Sequence, residues 1–310
     1  MSSPAATLTD FRGSLAASLR DYSELVKARV TALILMTTWC GYYLGAARTG
    51  ASSVSWTLAH TLAGVGLAAG GTAALNEVME RDLDARMRRT ASRPLVTGRM
   101  KMGHGAALGL LMVLGGSLYL AWAANGLTAA LTFATSAVYL LAYTPMKRVH
   151  PVCTFIGAFP GAMPPLLGWA AARGRLDAPA FVLFGIVFFW QFPHFHSIAW
   201  LYREDYARAG IRMLPVVDGS GRSTSREILV CLGALLLTTV AAGAAGIAGR
   251  IYLTGALLLG GGFFWAGWRL AAGAPPASGE SRRRARHLLQ ASVLYLPLLL
   301  ALLILNATVS

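Results

Sequence analysis

The chain has 310 residues, of which 55% are hydrophobic and only 13% are charged. This composition excludes a soluble domain of that length and indicates a polytopic helical membrane protein. The net charge of +14, from 27 basic and 13 acidic residues, would suggest nucleic-acid binding in a soluble protein. Here the basic residues lie between apolar runs, so membrane topology explains them better and no nucleic-acid partner is expected.

Repeated apolar runs of nearly 20 residues predict an all-α bundle with nine transmembrane helices. The predicted spans are 30–46, 56–75, 103–123, 127–142, 152–171, 178–201, 228–248, 251–270 and 288–304. The expected organisation is a cytoplasmic N-terminal segment, residues 1–26, followed by a single membrane domain, residues 27–310. The linker at 273–286 reads as a mobile cytoplasmic loop, and the last three spans read as scaffold.

The loops predict the orientation of these spans. With the N-terminus in the cytoplasm, the only basic residues left outside are Arg48, Arg173, Arg175 and Arg250, as the positive-inside rule requires. Twelve of the thirteen acids also fall inside, Asp177 being the exception. Charge of both signs on one face indicates that the cytoplasmic face carries the chemistry. The short, acid-containing N-terminus favours a bacterial plasma (inner) membrane over a mitochondrial one.

The most informative segment follows the second span. Asn76, Glu80 and Asp84 are spaced i, i+4 and i+8, which places their side chains on one face of a helix. Three aligned oxygen-bearing side chains suit Mg²⁺, which completes its coordination with water and phosphate. The surrounding arginines, which suit a polyphosphate, are Arg81, Arg86, Arg88, Arg89 and Arg93. A solvated, positive-inside anchor explains these arginines but not the carboxylates among them.

Two further basic segments belong to the same predicted face. Lys27 and Arg29 precede the first span, and they are either interfacial anchors or phosphate ligands. The loop after the fourth span contains Tyr143, Lys147 and Arg148. This loop is either another anchor or part of a cationic clamp for a diphosphate leaving group.

The sixth span ends in a polar cluster comprising Gln191, His194, His196 and, just beyond, Asp205. These side chains are either interfacial groups bonded to carbonyls or a second half-site facing the first. Nearby aromatic residues would form a wall of that site or an interfacial belt; they are Trp190, Phe192, Phe195 and Trp200. The fifth span, which is rich in Gly and Pro, is expected to bend or break.

Two polar clusters at one end of a lipid-embedded bundle suit an enzyme that acts on an apolar substrate with a diphosphate head. Mg²⁺ and arginines would stabilise the departing diphosphate while an allylic C–O bond ionises. The carbocation would then be captured by an acceptor in a cavity that excludes water. The residues alone therefore predict a membrane prenyl-transfer site.

The string Asn76-x-x-x-Glu80-x-x-x-Asp84 resembles the first aspartate-rich motif of the UbiA superfamily of intramembrane prenyltransferases. Its continuation through Arg93-Pro94 resembles the branch that farnesylates protoheme IX. Further segments of the chain carry the same resemblance, namely Lys27-x-Arg29-Val30, Tyr143-Thr-Pro-x-Lys147-Arg148, Pro193-His194-Phe195 and Asp205-Tyr206 followed by Met213-Leu-Pro-Val-Val217.

The resemblance implies a nine-helix fold and transfer of a farnesyl group from farnesyl diphosphate to a vinyl group of haem B, giving haem O. It implies that Asn76, Glu80 and Asp84 hold Mg²⁺–diphosphate. Haem B is expected as a substrate rather than a permanent cofactor, and a downstream haem A synthase is an expected partner. The residues expected to bind phosphate oxygens are Lys27, Arg29, Arg81, Arg88, Arg93, Tyr143, Lys147 and Arg148. Lys147 and Asp205 are also expected in the catalytic set, and His194 and His196 are the candidates for haem contact.

The sequence departs from the superfamily pattern in two places. Glu80 stands where the motif usually has Asp, and Glu204 and Asp205 form a thin second acidic motif. Three rival functions are a UbiA-type enzyme with another acceptor, such as an aromatic acid or a chlorin, a cation-binding transporter, and a haem-binding assembly protein without catalysis. Clustering of the carboxylates at one membrane face, rather than along a midplane path, argues against the transporter.

Overall fold

The computed structural model describes residues 16–50, 52–273 and 278–307. Within these ranges, nine helices are long and apolar enough to cross a membrane, which confirms the predicted all-α bundle. They are α1 Ala28–Ala47, α2 Trp56–Asp84, α3 Met102–Ala123, α4 Gly126–Met146, α5 Cys153–Arg173, α6 Ala178–Leu201, α7 Arg222–Ala244, α8 Arg250–Ala271 and α9 Gly279–Leu305. Most of the predicted N-terminal segment, residues 1–15, lies outside the described residues.

Three helices extend beyond the apolar runs that predicted them. Helix α2 continues to Asp84 instead of ending near 75, α7 begins at Arg222 instead of 228, and α9 begins at Gly279 instead of 288. The expectation of a mobile loop at 273–286 is therefore wrong for residues 279–286. Backbone hydrogen bonds continue through a polar segment as readily as through an apolar one, and Ser278 caps α9 by accepting from the Ser281 N–H at 3.1 Å.

The helices form two groups, α1–α5 and α6–α9, which meet where α5 packs on α6 and α9 packs on α1. The closest approach is between α1 and α5. A Cβ atom added to Gly168 would lie 1.9 Å from the carbonyl oxygen of Thr38, and one added to Gly41 would lie 2.0 Å from that of Pro165. Only glycine permits this approach, as is common between membrane helices.

Two helices contain local irregularities. Helix α5 has three internal prolines, yet it runs without interruption from Cys153 to Arg173, so the predicted break is absent. Helix α4 changes to a π-helix over Val138–Tyr143 before a last turn at Thr144–Met146. Such π-helical segments are rare, and they are often found at functional sites.

The outer surface of the bundle is apolar. Large hydrophobic side chains on several helices are exposed, among them Leu118, Trp122, Leu237 and Leu258. A surface of this kind is covered by lipid rather than water. The chain is a multi-pass membrane protein.

Candidate active site

The polar end of α2 is buried inside the bundle. Because α2 remains helical as far as Asp84, Asn76, Glu80 and Asp84 lie along one face, and all three are buried. Glu77 is also fully buried, and it precedes Asp84 by seven residues, which places the two within roughly 20° around the helix axis. Sequence reasoning missed Glu77, although its i+7 spacing to Asp84 is a signal that could have found it.

Two lysines from different segments contact this face. The ammonium group of Lys27 donates to Asn76 Oδ1 at 2.8 Å, and that of Lys147 donates to Glu80 Oε1 at 2.7 Å. Asn76 in turn donates to the hydroxyl of Thr144 at 3.2 Å. The N-terminal junction of α1 and the end of α4 are therefore both attached to α2.

A guanidinium group from the loop after α2 completes the set. Arg93 Nη1 donates to Asp84 Oδ2 at 2.5 Å, and Arg93 Nε lies 3.9 Å from Glu77 Oε2. Neither carboxylate oxygen of Glu77 has a hydrogen-bond partner in the described part of the chain. Arg93 thus neutralises two buried carboxylates through opposite edges of one side chain.

Lys27 is held in an unusual conformation. Its φ of 47° and ψ of 54° lie in the left-handed region of the backbone map, which residues other than Gly, Asn and Asp seldom adopt. Burial, with repulsion from Arg93 and Lys147, lowers the pKa of Lys27 to about 8. Lys27 is therefore a cation that can lose its proton close to neutral pH.

Lys147 lies just beyond the π-helix of α4. Its ammonium group is 4.5 Å from the centre of the Tyr143 ring, a cation–π contact. Burial alone would lower the pKa of Lys147, but the phenol of Tyr143 and the carboxylate of Glu80 outweigh it, and the pKa lies above its ordinary value. In contrast to Lys27, Lys147 keeps its charge throughout the neutral range.

The remaining predicted phosphate ligands are peripheral to this cluster. Arg81 is exposed and donates from Nε to the carbonyl oxygen of Leu95 at 3.1 Å. Arg29, Arg88 and Arg148 are exposed side chains near the same end of the bundle. They surround the buried cluster with positive charge but do not form part of it.

The three loops that follow α2, α4 and α6 converge at this end. Arg89 donates to the hydroxyl of Tyr206 at 3.3 Å, and the backbone N–H of Arg212 donates to the carbonyl oxygen of Lys147 at 2.8 Å. Beneath these contacts, an apolar cluster joins Leu83 and Met87 to residues of the third loop. The structure therefore brings together the loops that sequence analysis placed on one face.

The acidic residues after α6 stay outside the buried cluster. Asp205 pairs with Arg208 on the next turn at 3.0 Å, and Glu204 forms an ion pair with Arg282 at the start of α9. Asp205 is thus paired with an arginine of its own helix, and Glu204 with an arginine that is distant in sequence.

His194 is fixed in one tautomer by its neighbours. Its Nδ1 lies 2.8 Å from the hydroxyl oxygen of Ser292, and that hydroxyl donates to the carbonyl oxygen of Leu289. The Ser292 proton is thereby committed elsewhere, so Nδ1 carries the ring proton and Nε2 carries the free lone pair. Trp190 stacks on the imidazole at 4.7 Å between ring centres and holds its orientation.

His196 faces a different helix from His194. It is fully buried, and its Nε2 lies 3.4 Å from Glu227 Oε2 on α7. Neither ring nitrogen has a hydrogen-bond partner among the described residues. Of the predicted aromatic wall, Phe192 and Trp200 are buried core residues, while the larger aromatic cluster lies between α5 and α6 around Phe155 and Phe188.

The donor chemistry of the α2 face suits Mg²⁺ held jointly with a diphosphate. Within the described ranges, no three His, Cys, Asp or Glu side chains converge as a complete metal site. Mg²⁺ nevertheless needs only one or two carboxylates when water and phosphate complete its coordination. Glu80, Asp84 and the amide oxygen of Asn76 provide that set, so these residues fit the ion.

Comparisons with known proteins identify the family. Residues 34–289 match the UbiA prenyltransferase family. A protoheme IX farnesyltransferase of Koribacter versatilis is 58% identical over the whole of both chains. One from Solibacter usitatus is 47% identical over 93% of this chain and 99% of its own.

Solved structures agree on the fold. A digeranylgeranylglyceryl phosphate synthase has a TM-score of 0.76 at 15% identity and covers 93% of this chain and 98% of its own. A UbiA homologue from Archaeoglobus fulgidus, bound to DMAPP and Mg²⁺, has a TM-score of 0.63 at 15% identity and covers 91% of this chain and 99% of its own. The chain is therefore a membrane prenyltransferase, and it belongs to the UbiA prenyltransferase family.

Proposed function

We propose that this enzyme transfers the farnesyl group of farnesyl diphosphate to a vinyl group of protoheme IX (haem B), giving haem O and free diphosphate. The observation that carries the proposal is the convergence of three basic groups, from three separate segments, on the oxygens of one helical face. The names of the most similar relatives support haem as the acceptor. The Archaeoglobus homologue bound to DMAPP and Mg²⁺ supports a prenyl diphosphate as the donor.

The pairing of opposite charges in the cluster explains how such a substrate would be accommodated. Lys27, Lys147 and Arg93 each contact a side-chain oxygen of α2. A bound diphosphate offers the same three cations better anionic oxygens, while the carboxylates released by this exchange remain available to a cation. Asn76, Glu80 and Asp84 would hold Mg²⁺, which when bound with the diphosphate supplies positive charge against its oxygens.

The exposed basic residues would act at the entrance. Arg29, Arg81, Arg88 and Arg148 lie around the cluster, where they raise the local concentration of a polyanion. The Tyr143 ring keeps the Lys147 ammonium group directed at the site. Asp205 is retained as a candidate catalytic group that would have to exchange Arg208 for substrate.

The chemistry balances with one water molecule. The allylic C–O bond of farnesyl diphosphate breaks, and its electron pair leaves with the diphosphate, which Lys27, Arg93 and Lys147 stabilise. The π electrons of the vinyl group form the new C–C bond, and the resulting cation on the haem side takes up water and loses a proton. The product gains a farnesyl group on one vinyl carbon and a hydroxyl group on the other.

His194 is the proposed haem contact. Its hydrogen bond to Ser292 leaves Nε2 with a free lone pair, which suits ligation of haem iron or acceptance of a hydrogen bond. His196 is a second candidate, since its buried ring nitrogens have no hydrogen-bond partner in the described ranges.

We place the protein in the inner membrane of a bacterium. The distribution of basic loops supports an orientation in which the N-terminus and the site face the cytoplasm. Residues 27–310 would act as a single domain. A haem A synthase would consume the product.

The test is a reaction of the purified protein with haem B, farnesyl diphosphate and Mg²⁺, followed by mass spectrometry of the pigment. We expect a haem heavier by a farnesyl group plus a hydroxyl group, and we expect this product to be lost with EDTA and in Asp84→Asn. Asp82→Asn is the matched control, because Asp82 is an exposed aspartate on the same helix. Unchanged haem beside a prenylated aromatic acid would overturn the acceptor, and equal loss in both variants would overturn the site.

A further inference from the structure

A crevice of about 210 Å³ lies between the last turns of α8 and the first turns of α9. Its lining includes Trp265 and Arg269 from α8 and Arg284 and His287 from α9. The ion pair between Arg282 and Glu204 ties this end of α9 to the loop after α6. The crevice is therefore on the same membrane side as the candidate active site, but on different helices.

One wall of the crevice faces the lipid. Trp265 is 57% exposed, and Trp268 beside it is 53% exposed. A Cβ atom added to Gly262, which also lines the crevice, would meet no atom within 4 Å. The crevice thus opens sideways into the region occupied by acyl chains.

The mouth of the crevice is cationic. The Arg269 guanidinium lies over the Trp265 ring at 4.9 Å from its centre. Arg284 donates from Nη1 to the carbonyl oxygen of Arg269 at 2.7 Å and pairs through Nη2 with Glu280. Its Nε is buried without a hydrogen-bond partner in the described part of the chain. One arginine from each helix thus lines the crevice, and the carboxylate of Glu280 lies beside Arg284.

We propose that this crevice binds an anionic phospholipid. The headgroup phosphate would contact Arg269 and Arg284, and one acyl chain would lie over Gly262 and Trp265. Basic pockets between transmembrane helices at the membrane interface bind anionic lipids by this combination of charge and apolar contact. The apolar wall favours a lipid over free phosphate, because phosphate has no apolar group that could contact it.

The experiment measures lipid retention by native mass spectrometry. The delipidated protein is titrated in detergent with dioleoyl phosphatidylglycerol or dioleoyl phosphatidylcholine. We expect selective retention of phosphatidylglycerol, weakened roughly tenfold or more in the double variant Arg269→Gln/Arg284→Gln. The matched control, Arg283→Gln/Arg286→Gln, removes the same charge from exposed positions of α9 and should retain the lipid.

A second pair of variants tests the acyl-chain contact without changing charge. Gly262→Leu fills the crevice, while Gly261→Leu, which also meets no atom within 4 Å, does not line it. Only the first should lower retention, and both should fold because leucine favours a helix more than glycine does. Equal loss in both charge variants, or displacement of the lipid by millimolar inorganic phosphate, would overturn the proposal.

Discussion

Arg93 offers the sharpest test of the buried charge cluster. Asp84 is 1% exposed and Glu77 is 0% exposed, and Arg93 contacts both carboxylates. Arg93→Met replaces the guanidinium group with an apolar side chain and leaves two buried carboxylates without this partner. Breaking a buried ion pair in this way costs about 3–5 kcal/mol, because the remaining charge is uncompensated. We expect the free energy of unfolding to fall by that amount.

The assay is unfolding of the purified protein in mixed micelles, monitored by circular dichroism. The double variant Arg93→Met/Asp84→Asn also removes one of the two unpaired carboxylate charges. It should therefore be about 2 kcal/mol more stable than the summed losses of the two single variants predict. The control is Arg99→Gln, because Arg99 pairs with Asp21 in the same region but is 40% exposed. It should lose no more than about 1 kcal/mol. Strict additivity in the double variant, or equal losses for Arg93 and Arg99, would refute the reasoning.

Three further predictions concern single side chains. The pKa of Lys27 is lowered to about 8, so the protonated form, which we propose binds diphosphate, is lost as the pH rises from 7 to 9. The KM for farnesyl diphosphate should therefore rise over that range. In Lys27→Arg, which stays protonated, KM should not change with pH, and an identical rise in both proteins would exclude Lys27 as the cause. Gly168→Ala should prevent the close packing of α1 on α5 and abolish the folded protein. Gly233→Ala is the control: Gly233 has open space around it, so this variant should have unchanged stability or gain up to about 1 kcal/mol. Equal expression and stability of the two variants would contradict the packing argument. Ser292→Ala should weaken haem binding less than His194→Ala does, because it removes the hydrogen bond that selects the tautomer but keeps the imidazole ring. The haem absorption spectrum measures the binding. Normal haem binding and farnesylation by His194→Ala would remove His194 from the site.

The fold was predictable because apolar runs of membrane-spanning length are a strong signal. The ends of the helices were harder to predict. Arg222 and Gly279 begin α7 and α9 in polar sequence, where hydropathy carries no information and only caps and contacts with other loops decide the boundary. The contact between Arg282 and Glu204, which brings together residues far apart in the chain, has no local signature.

The candidate site was predictable in part. Helical spacing alone placed Asn76, Glu80 and Asp84 on one face, since that relation is local. Their partners depend on how distant segments pack, so the assignment of Lys27 to Asn76 and of Lys147 to Glu80 required the structure. The roles of these residues in binding Mg²⁺ and diphosphate remain predictions that the variants above address.

The π-helix of α4 has an evolutionary consequence. A π-helical turn is an α-helix that has accepted one extra residue, and here it immediately precedes Thr144 and Lys147. An α-helix through the same residues would turn further and would rotate everything after it by roughly 100°. Lys147 would then point away from Glu80, although the span would stay as apolar as before. Losing one residue from Val138–Tyr143 would instead restore the α-helix with Lys147 in nearly its present direction, so this segment tolerates the gain or loss of one codon without disconnecting the cation from the cluster.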